Sequence, residues 1–259
     1  MVELFGRLAP VFDQVGVRYF SAFGERLVEF AGVGPGDAVL DVACGRGAVS
    51  RAALERVGPR GRVVAVDAAE EMVAAARRDF AGERVEFRRG VAEALELPEA
   101  SFDRVLCGFA LFLFREPERA LLEMLRVARP GGTVAVSTVA PERDRRWWWL
   151  VGLKHRRLGA EAVRPAFSAP ETLVRALSAA GLVDVVVEPV DLDTSYADAE
   201  EWLRTLTSSG ESALVAEMTP AERAAFERQA LPHLEHAREE DGRIHQVRTA
   251  WFARGSKAS

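Results

Sequence analysis

The stretch Asp41-Val42-Ala43-Cys44-Gly45-Arg46-Gly47 follows the short apolar run 38–40 and precedes a segment of helical spacing that begins near Ala48. An apolar run of this kind is typical of a strand buried in a parallel sheet. The glycines permit a sharp turn in which a ligand can lie against the backbone. Because doubly wound sheets bind ligands at the carboxyl ends of their strands, the stretch predicts an α/β fold with a binding site at this turn.

The alternation of strand and helix patterns continues along the chain. Further strands are predicted over 62–66, 84–88, 102–107, 133–139, 182–190 and 244–253. Strands separated by helices favour a doubly wound, Rossmann-like, mostly parallel sheet, here of seven strands. Residues 4–30 carry apolar residues at helical spacing, and S/T-x-x-E capping boxes at Ser168 and Thr219 predict the starts of two later helices.

The predicted elements divide one compact domain into three parts. Residues 1–34 form an amino-terminal helical cap, residues 35–142 a cofactor-binding core, and residues 143–259 the remainder of the sheet. Two insertions in that last part, 143–165 and 196–241, are predicted to be helical lids over the site.

Composition excludes several classes of protein. The chain has 259 residues, a net charge of -5 and 2 cysteines with no zinc or disulfide spacing, and it has no long uncharged apolar run. We therefore expect a cytoplasmic protein, a monomer or homodimer that binds neither membrane nor nucleic acid, since nucleic-acid surfaces need clustered cations. No metal site is predicted, because His233 and His236 lack a third ligand nearby.

Charge separates two cofactor classes at the glycine turn. A dinucleotide site needs a third glycine where this chain has Ser50, and the carboxylate of Asp41 would repel a pyrophosphate. The same carboxylate suits the cationic amino-acid end of S-adenosylmethionine. Asp67, which closes the second strand 20 residues after Gly47, is placed to accept both hydroxyls of a ribose. S-adenosylmethionine is therefore the predicted cofactor.

With these motifs in order, the chain resembles the class I S-adenosylmethionine-dependent methyltransferases, and most of all the ubiquinone/menaquinone C-methyltransferase-like and natural-product group. The segments that carry the resemblance are Val39–Ser50, Val66-Asp67, Gly90–Pro98, Ser101–Gly108 and Arg126–Gly132. The similarity is close over roughly 35–140 and only topological elsewhere. One departure is Val91, which stands where the group often has an acid for the adenine amino group.

The resemblance implies a set of cofactor-binding residues. Gly45 and Gly47 would pass under the methionine moiety, Asp67 would hold the ribose, and the backbone at Cys107 and Phe109 would face the methyl group. The full predicted set is Asp41, Ala43, Gly45, Gly47, Asp67, Ala68, Met72, Ala92, Glu93, Cys107, Phe109, Tyr19 and Phe20. Tyr19 and Phe20 are included because a helix lies over the cofactor in the resembling enzymes. Met72 is equally well explained as helix core, and Glu93 as an exposed loop acid.

Aromatic residues in and around the first insertion predict a wall over an apolar substrate. The predicted substrate-lining residues are Phe109, Phe112, Trp147, Trp148, Phe167 and Trp202. Three adjacent tryptophans cannot all point the same way on a helix, so some of them are also explained as core or surface. His155 is a candidate base, although a surface position explains it as well, and no other catalytic residue is predicted.

These patterns predict transfer of a methyl group from S-adenosylmethionine to a small, largely apolar metabolite, with an oxygen, carbon or nitrogen acceptor left open. The alternative is a protein of the same fold that binds the cofactor but catalyses other chemistry, such as cyclisation. The acidic net charge disfavours an RNA methyltransferase, and Asp41 with Ser50 disfavours a dehydrogenase.

Overall fold

The computed structural model describes residues 2–160 and 165–259, and its centre is a seven-stranded sheet in the order β3-β2-β1-β4-β5-β7-β6. The strands are β1 (Ala38–Val42), β2 (Arg62–Asp67), β3 (Val85–Arg89), β4 (Phe102–Gly108), β5 (Ala128–Val139), β6 (Leu182–Tyr196) and β7 (Ile244–Lys257). Strands β1 to β5 are parallel, whereas β7 runs antiparallel to both β5 and β6. The predicted Rossmann-like, mostly parallel sheet is thus confirmed.

Helices cover both faces of this sheet. They are α1 (Val2–Leu8), α2 (Tyr19–Phe30), α3 (Ala48–Val57), α4 (Glu70–Asp79), α5 (Pro117–Val127), α6 (Trp148–Leu158), α7 (Pro170–Ala179), α8 (Ala199–Thr207) and α9 (Pro220–His236). Val39 of β1 packs with α2 and α3, whereas its neighbour Leu40 packs with α5 and α7. Successive strand residues point to opposite faces, so each face receives its own apolar core.

The amino-terminal helical pattern is interrupted. Between α1 and α2 the backbone turns at Asp13 and Gly16, whose φ angles are 50° and 69°. The buried carboxylate of Asp13 accepts hydrogen bonds from the backbone N–H and the hydroxyl of Ser21, at 3.1 and 2.7 Å. This turn redirects the chain, and the segment therefore folds as two helices.

Three strands are longer than the sequence indicates. β5 begins at Ala128, which pairs with Phe102 of β4. Residues 129–132 form a bulge before the pairing resumes at Thr133, so the predicted turn at Gly131–Gly132 lies inside the strand. β6 and β7 continue past the sheet as an antiparallel ribbon that pairs as far as Tyr196 with Ile244. Tertiary pairing, which no local pattern shows, determines these lengths.

Of the two predicted capping boxes, one is present. Thr219 and Glu222 form the reciprocal hydrogen bonds of a capping box at the start of α9. The box at Ser168 is absent, because α7 begins at Pro170 with Ala169 as its N-cap and without a side-chain cap. Proline at the first position supplies a favourable φ and needs no donor partner, so this helix starts two residues after Ser168.

The two insertions pack on each other. Trp147 and Leu150 of the first share a closed apolar cluster with Trp202, Leu206 and Phe226 of the second. The predicted lids are therefore a single helical unit, as far as residues 2–160 and 165–259 describe it. Within those ranges, no helix is both long enough and apolar enough to cross a bilayer.

Candidate active site

A cavity of about 1060 Å³ opens at the carboxyl ends of the parallel strands. Pockets for single drug-sized ligands span about 300–1,000 Å³, so this volume suits a cofactor together with an acceptor. The cavity is lined by α1 and α2, by the turns after β1, β2, β4 and β5, by the inserted helical unit and by Gln246, Arg248 and Thr249 of β7.

The backbone is strained where two of these turns reach the cavity. Ala43 and Phe109, which line it, have φ angles of 57° and 53°. Left-handed conformations at residues other than glycine cost about 1–3 kcal/mol and cluster at functional sites. The N–H of Phe109 donates to the Ser137 hydroxyl at 3.1 Å, which holds this turn in place. Gly45, with a φ of 54°, has the ring of Phe12 within 3.7 Å of where a Cβ would lie.

Asp41 is a buried carboxylate with one oxygen unpaired. Its Oδ2 accepts a hydrogen bond from the Ser50 hydroxyl at 2.6 Å. Its Oδ1 is buried and has no hydrogen-bond partner in the described part of the chain. Burial, and to a lesser extent the nearby charge of Asp67, raises the pKa of Asp41 to about 7, although the Ser50 hydrogen bond lowers it. Ser50, which marks the departure from a dinucleotide motif, thus positions the acid.

Asp67 lies beside it at the end of β2. Its two oxygens accept backbone hydrogen bonds from Gly45 and Ala69, at 2.8 and 2.9 Å. Burial raises the pKa of Asp67, and these backbone hydrogen bonds oppose that rise. Each carboxylate oxygen retains acceptor capacity for hydroxyl donors. The orphaned oxygen of Asp41 and the free capacity of Asp67 fit a ligand with a cationic group and a ribose.

Most of the predicted cofactor-binding residues reach this cavity. Those on its wall are Asp41, Ala43, Gly45, Asp67, Ala68, Met72, Phe109, Tyr19 and Phe20. Their role in binding remains a prediction, whereas their convergence on one cavity is a property of the structure.

Four predicted cofactor-binding residues lie elsewhere. A Cβ at Gly47 would meet the Phe80 ring at 2.8 Å, so this glycine serves packing behind the turn. Ala92 and Cys107 are buried in the core that contains α5. The carboxylate of Glu93 accepts from the backbone N–H of Arg115 at 3.1 Å and is off the cavity wall. Sequence order placed these four residues near the site, but none of them is on the cavity wall.

The aromatic wall is smaller than expected. Phe109, Phe112 and Trp147 line the cavity. Trp202 is fully enclosed among Trp147, Trp149 and Phe226, so it supports the wall from behind and is not part of it.

The other predicted lining and catalytic candidates also lie off the cavity wall. Trp148 is 53% exposed and has the Arg145 guanidinium over its ring. Phe167 packs against the core that contains α5 and α7. His155 is exposed on α6 and is not on the cavity wall, so the structure does not support it as a base.

The sequence did not indicate a polar cluster at the far end of the cavity. It contains Tyr19, Glu142, Lys154, Glu211, Gln246 and Arg248, all of which line the cavity. Lys154 Nζ and Arg248 Nη2 both donate to the Glu211 carboxylate, the latter at 3.3 Å. Burial alone would raise the pKa of Glu211, but these two cations lower it to about 2. The members lie far apart along the chain, and Tyr19 is the one that was also a predicted site residue.

Among residues 2–160 and 165–259, no three His, Cys, Asp or Glu side chains are grouped as a metal site. His233 stacks on Trp149 with ring centroids 4.7 Å apart. The two cysteines, Cys44 and Cys107, are buried and unpaired.

Comparison with known proteins identifies the class of this fold and site. Residues 39–132 match the family model described as a methyltransferase domain. Nocamycin O-methyltransferase of Saccharothrix syringae is 34% identical over 242 residues, which cover 86% of each chain. The chain therefore belongs to the class I S-adenosylmethionine-dependent methyltransferases, in the group of quinone and natural-product enzymes, and S-adenosylmethionine is the cofactor of this class.

Two further relatives show how far the likeness extends. The ubiquinone/menaquinone biosynthesis C-methyltransferase UbiE of Hydrogenovibrio crunogenus is 36% identical over 145 residues, 50% of this chain and 57% of that protein. The crystal structure of the cyclase SpnF has a TM-score of 0.57 at 21% identity, covering 92% of this chain and 81% of SpnF. The second likeness shows a shared fold alone.

Proposed function

We propose that this enzyme transfers a methyl group to a small, largely apolar metabolite that binds in the same cavity as the cofactor. The observation that carries the proposal is one continuous cavity with the buried acids Asp41 and Asp67 at one end and the aromatic side chains of Phe112 and Trp147 further along. The carboxylates suit the cofactor's cationic and ribose groups, and the rings suit an apolar acceptor.

The residues of this chain bind and align the reactants. Asp41 and the turn Ala43–Gly45 would hold the amino-acid end of the cofactor, Asp67 the ribose, and Ala68 with Met72 the adenine. When bound, S-adenosylmethionine supplies a methyl group on a sulfonium sulfur and leaves as a neutral thioether. Alignment and exclusion of water are therefore the main contributions expected of the protein, and the aromatic wall would contribute to both.

An oxygen acceptor on a natural product is the finer proposal. Its support is the relative named nocamycin O-methyltransferase, which matches this chain over most of both lengths. A concave, largely apolar cavity favours a small molecule over a nucleic acid. The buried thiols of Cys44 and Cys107 suit a reducing cytoplasm.

Calorimetric titration with S-adenosylmethionine and S-adenosylhomocysteine tests the cofactor site. We expect micromolar binding by the wild type and a loss of at least about tenfold in Asp67→Ala, since hydrogen bonds to a charged group contribute about 1.5–3 kcal/mol. The exposed Glu99→Ala serves as the control and retains full affinity. Wild-type protein that binds neither compound would contradict the proposal.

Product analysis separates methyl transfer from the cyclisation alternative. Incubation with aromatic polyketide and quinone acceptors should release one S-adenosylhomocysteine per methylated product. Turnover of an acceptor with the cofactor bound but unconsumed would instead establish non-methylating chemistry, which this fold is able to host.

A further inference from the structure

Two cations face the cavity at the end opposite the cofactor acids. Arg248 lies on β7, next to the end of β5, because the backbone N–H of Ala140 donates to the carbonyl of Thr249 at 3.2 Å. Lys154 comes from α6, and both side chains line the cavity. The cavity therefore has the acids Asp41 and Asp67 at one end and two cations, together with their carboxylate partner, at the other.

The guanidinium of Arg248 is held rigidly. Its Nη2 donates to the Tyr196 hydroxyl at 3.1 Å and to Glu211 at 3.3 Å. Its Cζ lies 4.2 Å from the centroid of the Tyr19 ring. A buried guanidinium fixed on several sides loses little further freedom when it binds a ligand.

The hydrogen-bonding capacity of Arg248 is not exhausted by these contacts. The side chain is only 14% exposed. Its Nε is buried and has no hydrogen-bond partner within the described ranges. A buried donor without a partner is costly, and a ligand oxygen at the cavity wall would satisfy it.

Two cations of the cluster share one carboxylate. Glu211 is shared by Lys154 and Arg248, so two cations face one carboxylate. Glu142 is the other acid at this end, and burial raises its pKa despite the neighbouring Gln246 and Arg248, which favours its neutral form relative to an exposed glutamate. Two buried cations that share one carboxylate in a largely apolar cavity favour a further anionic group as their partner.

We propose that Arg248 recognises an acceptor that carries an ionised oxygen, a carboxylate or enolate, and that this contact sets the orientation of the acceptor in the aromatic part of the cavity. The inference rests on the proposed function and specifies the substrate class of the same site. The Nε–H of the guanidinium has no partner, and a hydrogen bond from a charged donor to an ionised oxygen is stronger than one to a neutral amide.

Matched pairs of acids and amides test this recognition directly. Benzoate, 3-hydroxy-2-naphthoate and anthracene-2-carboxylate, each with its primary amide, are titrated into protein saturated with S-adenosylhomocysteine. We expect at least one acid to bind roughly 10- to 100-fold more tightly than its amide, as expected for a hydrogen-bonded charge. If no acid of the panel binds more tightly than its amide, the proposal is overturned.

Variants attribute the preference to Arg248. Arg248→Gln should remove the acid preference, and Arg248→Lys should retain part of it, because charge remains while the fork geometry is lost. Arg254→Gln is the matched control, since Arg254 also lies on β7 with its guanidinium over a ring, that of Phe30, but away from the cavity. An acid preference that persists in a folded Arg248→Gln contradicts the assignment.

Two readouts keep the conclusions separate. The wild-type acid and amide comparison requires no variant, so it is decisive even if Arg248→Gln fails to fold. If the wild-type protein does not bind S-adenosylhomocysteine, the result counts against the proposed function. Intact S-adenosylhomocysteine binding without an acid preference would overturn only the role of Arg248.

Discussion

Asp41 combines two properties that are costly in a folded protein: its carboxylate is buried, and its Oδ1 is unpaired. Its pKa is raised from 3.8 to about 7 by burial and by the facing charge of Asp67, against the hydrogen bond from Ser50. The buried thiols of Cys44 and Cys107 complete its titratable surroundings. A raised pKa means that the native state binds a proton more tightly than the unfolded chain. The contribution of the protonated Asp41 to the free energy of unfolding is therefore fully present below pH 3.8, and it is lost as the pH rises through about 7.

Substitution of Asp41 should reveal this cost. Asp41→Asn removes the titration, so between pH 5.5 and pH 8 the wild type should lose about 2 kcal/mol of unfolding free energy relative to the variant. Urea denaturation at the two pH values measures the difference. A constant difference between the two proteins would show that Asp41 does not titrate in this range.

Cofactor binding should depend on the same proton. A cationic ligand needs the ionised form of Asp41, so the affinity for S-adenosylmethionine should rise roughly fivefold from pH 6 to pH 7, with release of a proton. Calorimetry in two buffers of different ionisation enthalpy measures that proton. In Asp41→Asn the affinity should be low and nearly independent of pH over this range, and an unchanged pH profile would exclude the carboxylate as the cause.

At the scale of elements, the adjacent tryptophans at the start of the first insertion have different roles. Trp147 lines the cavity and stacks on Trp202, with ring centroids 6.1 Å apart, whereas Trp148 points to solvent. The insertions therefore depend on Trp202 for their mutual packing, although Trp202 does not touch the cavity.

Truncation of Trp202 and of Trp148 should distinguish a side chain that packs the insertions together from one on the surface. Trp202→Ala should lower the unfolding free energy by about 3–5 kcal/mol, because it leaves a large void in the cluster. Trp148→Ala, the control, should stay within about 0.5 kcal/mol of the wild type. Chemical denaturation measures both, and comparable losses in the two variants would contradict the packing of the insertions.

The same elements show what the sequence alone can establish. The strand–turn–helix order and the turn from Asp41 to Gly47 predicted the sheet and the acidic end of the cavity, because both depend on local spacing. The sequence could not show that Gly47 and Cys107 are off the cavity wall, or which of the tryptophans reaches it. It also could not show the cluster around Arg248, whose members come from separate elements and meet only through tertiary packing.

Across the whole molecule, the cavity has two acids at one end and a mixed cluster of cations and acids at the other. The parallel strands present Asp41 and Asp67 at one end, and the insertions together with β7 bring Lys154 and Arg248 to the other. The two groups of side chains belong to different parts of the chain, so the separation exists only in the assembled fold. A cationic cofactor and an anionic acceptor would each meet the complementary end.

Glu142 links this charge pattern to pH. It is packed near Gln246 and Arg248 of β7 and Asp144 of its own loop, while Lys154 and Glu211 line the same end of the cavity. Burial raises the pKa of Glu142, so its charge appears only at higher pH than for an exposed glutamate. Once ionised, Glu142 adds a negative charge beside Arg248 and competes with an anionic ligand for that guanidinium.

The affinity for an aromatic acid should therefore fall as the pH rises through the raised pKa of Glu142. The expected change is roughly tenfold for the tightest acid of the panel, since two like charges would then share one partly buried end of the cavity. Glu142→Gln should bind the acid with high affinity at every pH, because it keeps the shape of the side chain without its charge. The measurement is a pH series of titrations on protein saturated with S-adenosylhomocysteine, with the neutral amide as the reference ligand. If wild type and Glu142→Gln show the same pH dependence, Glu142 does not control the charge at the acceptor end, and titration of another group must account for the dependence.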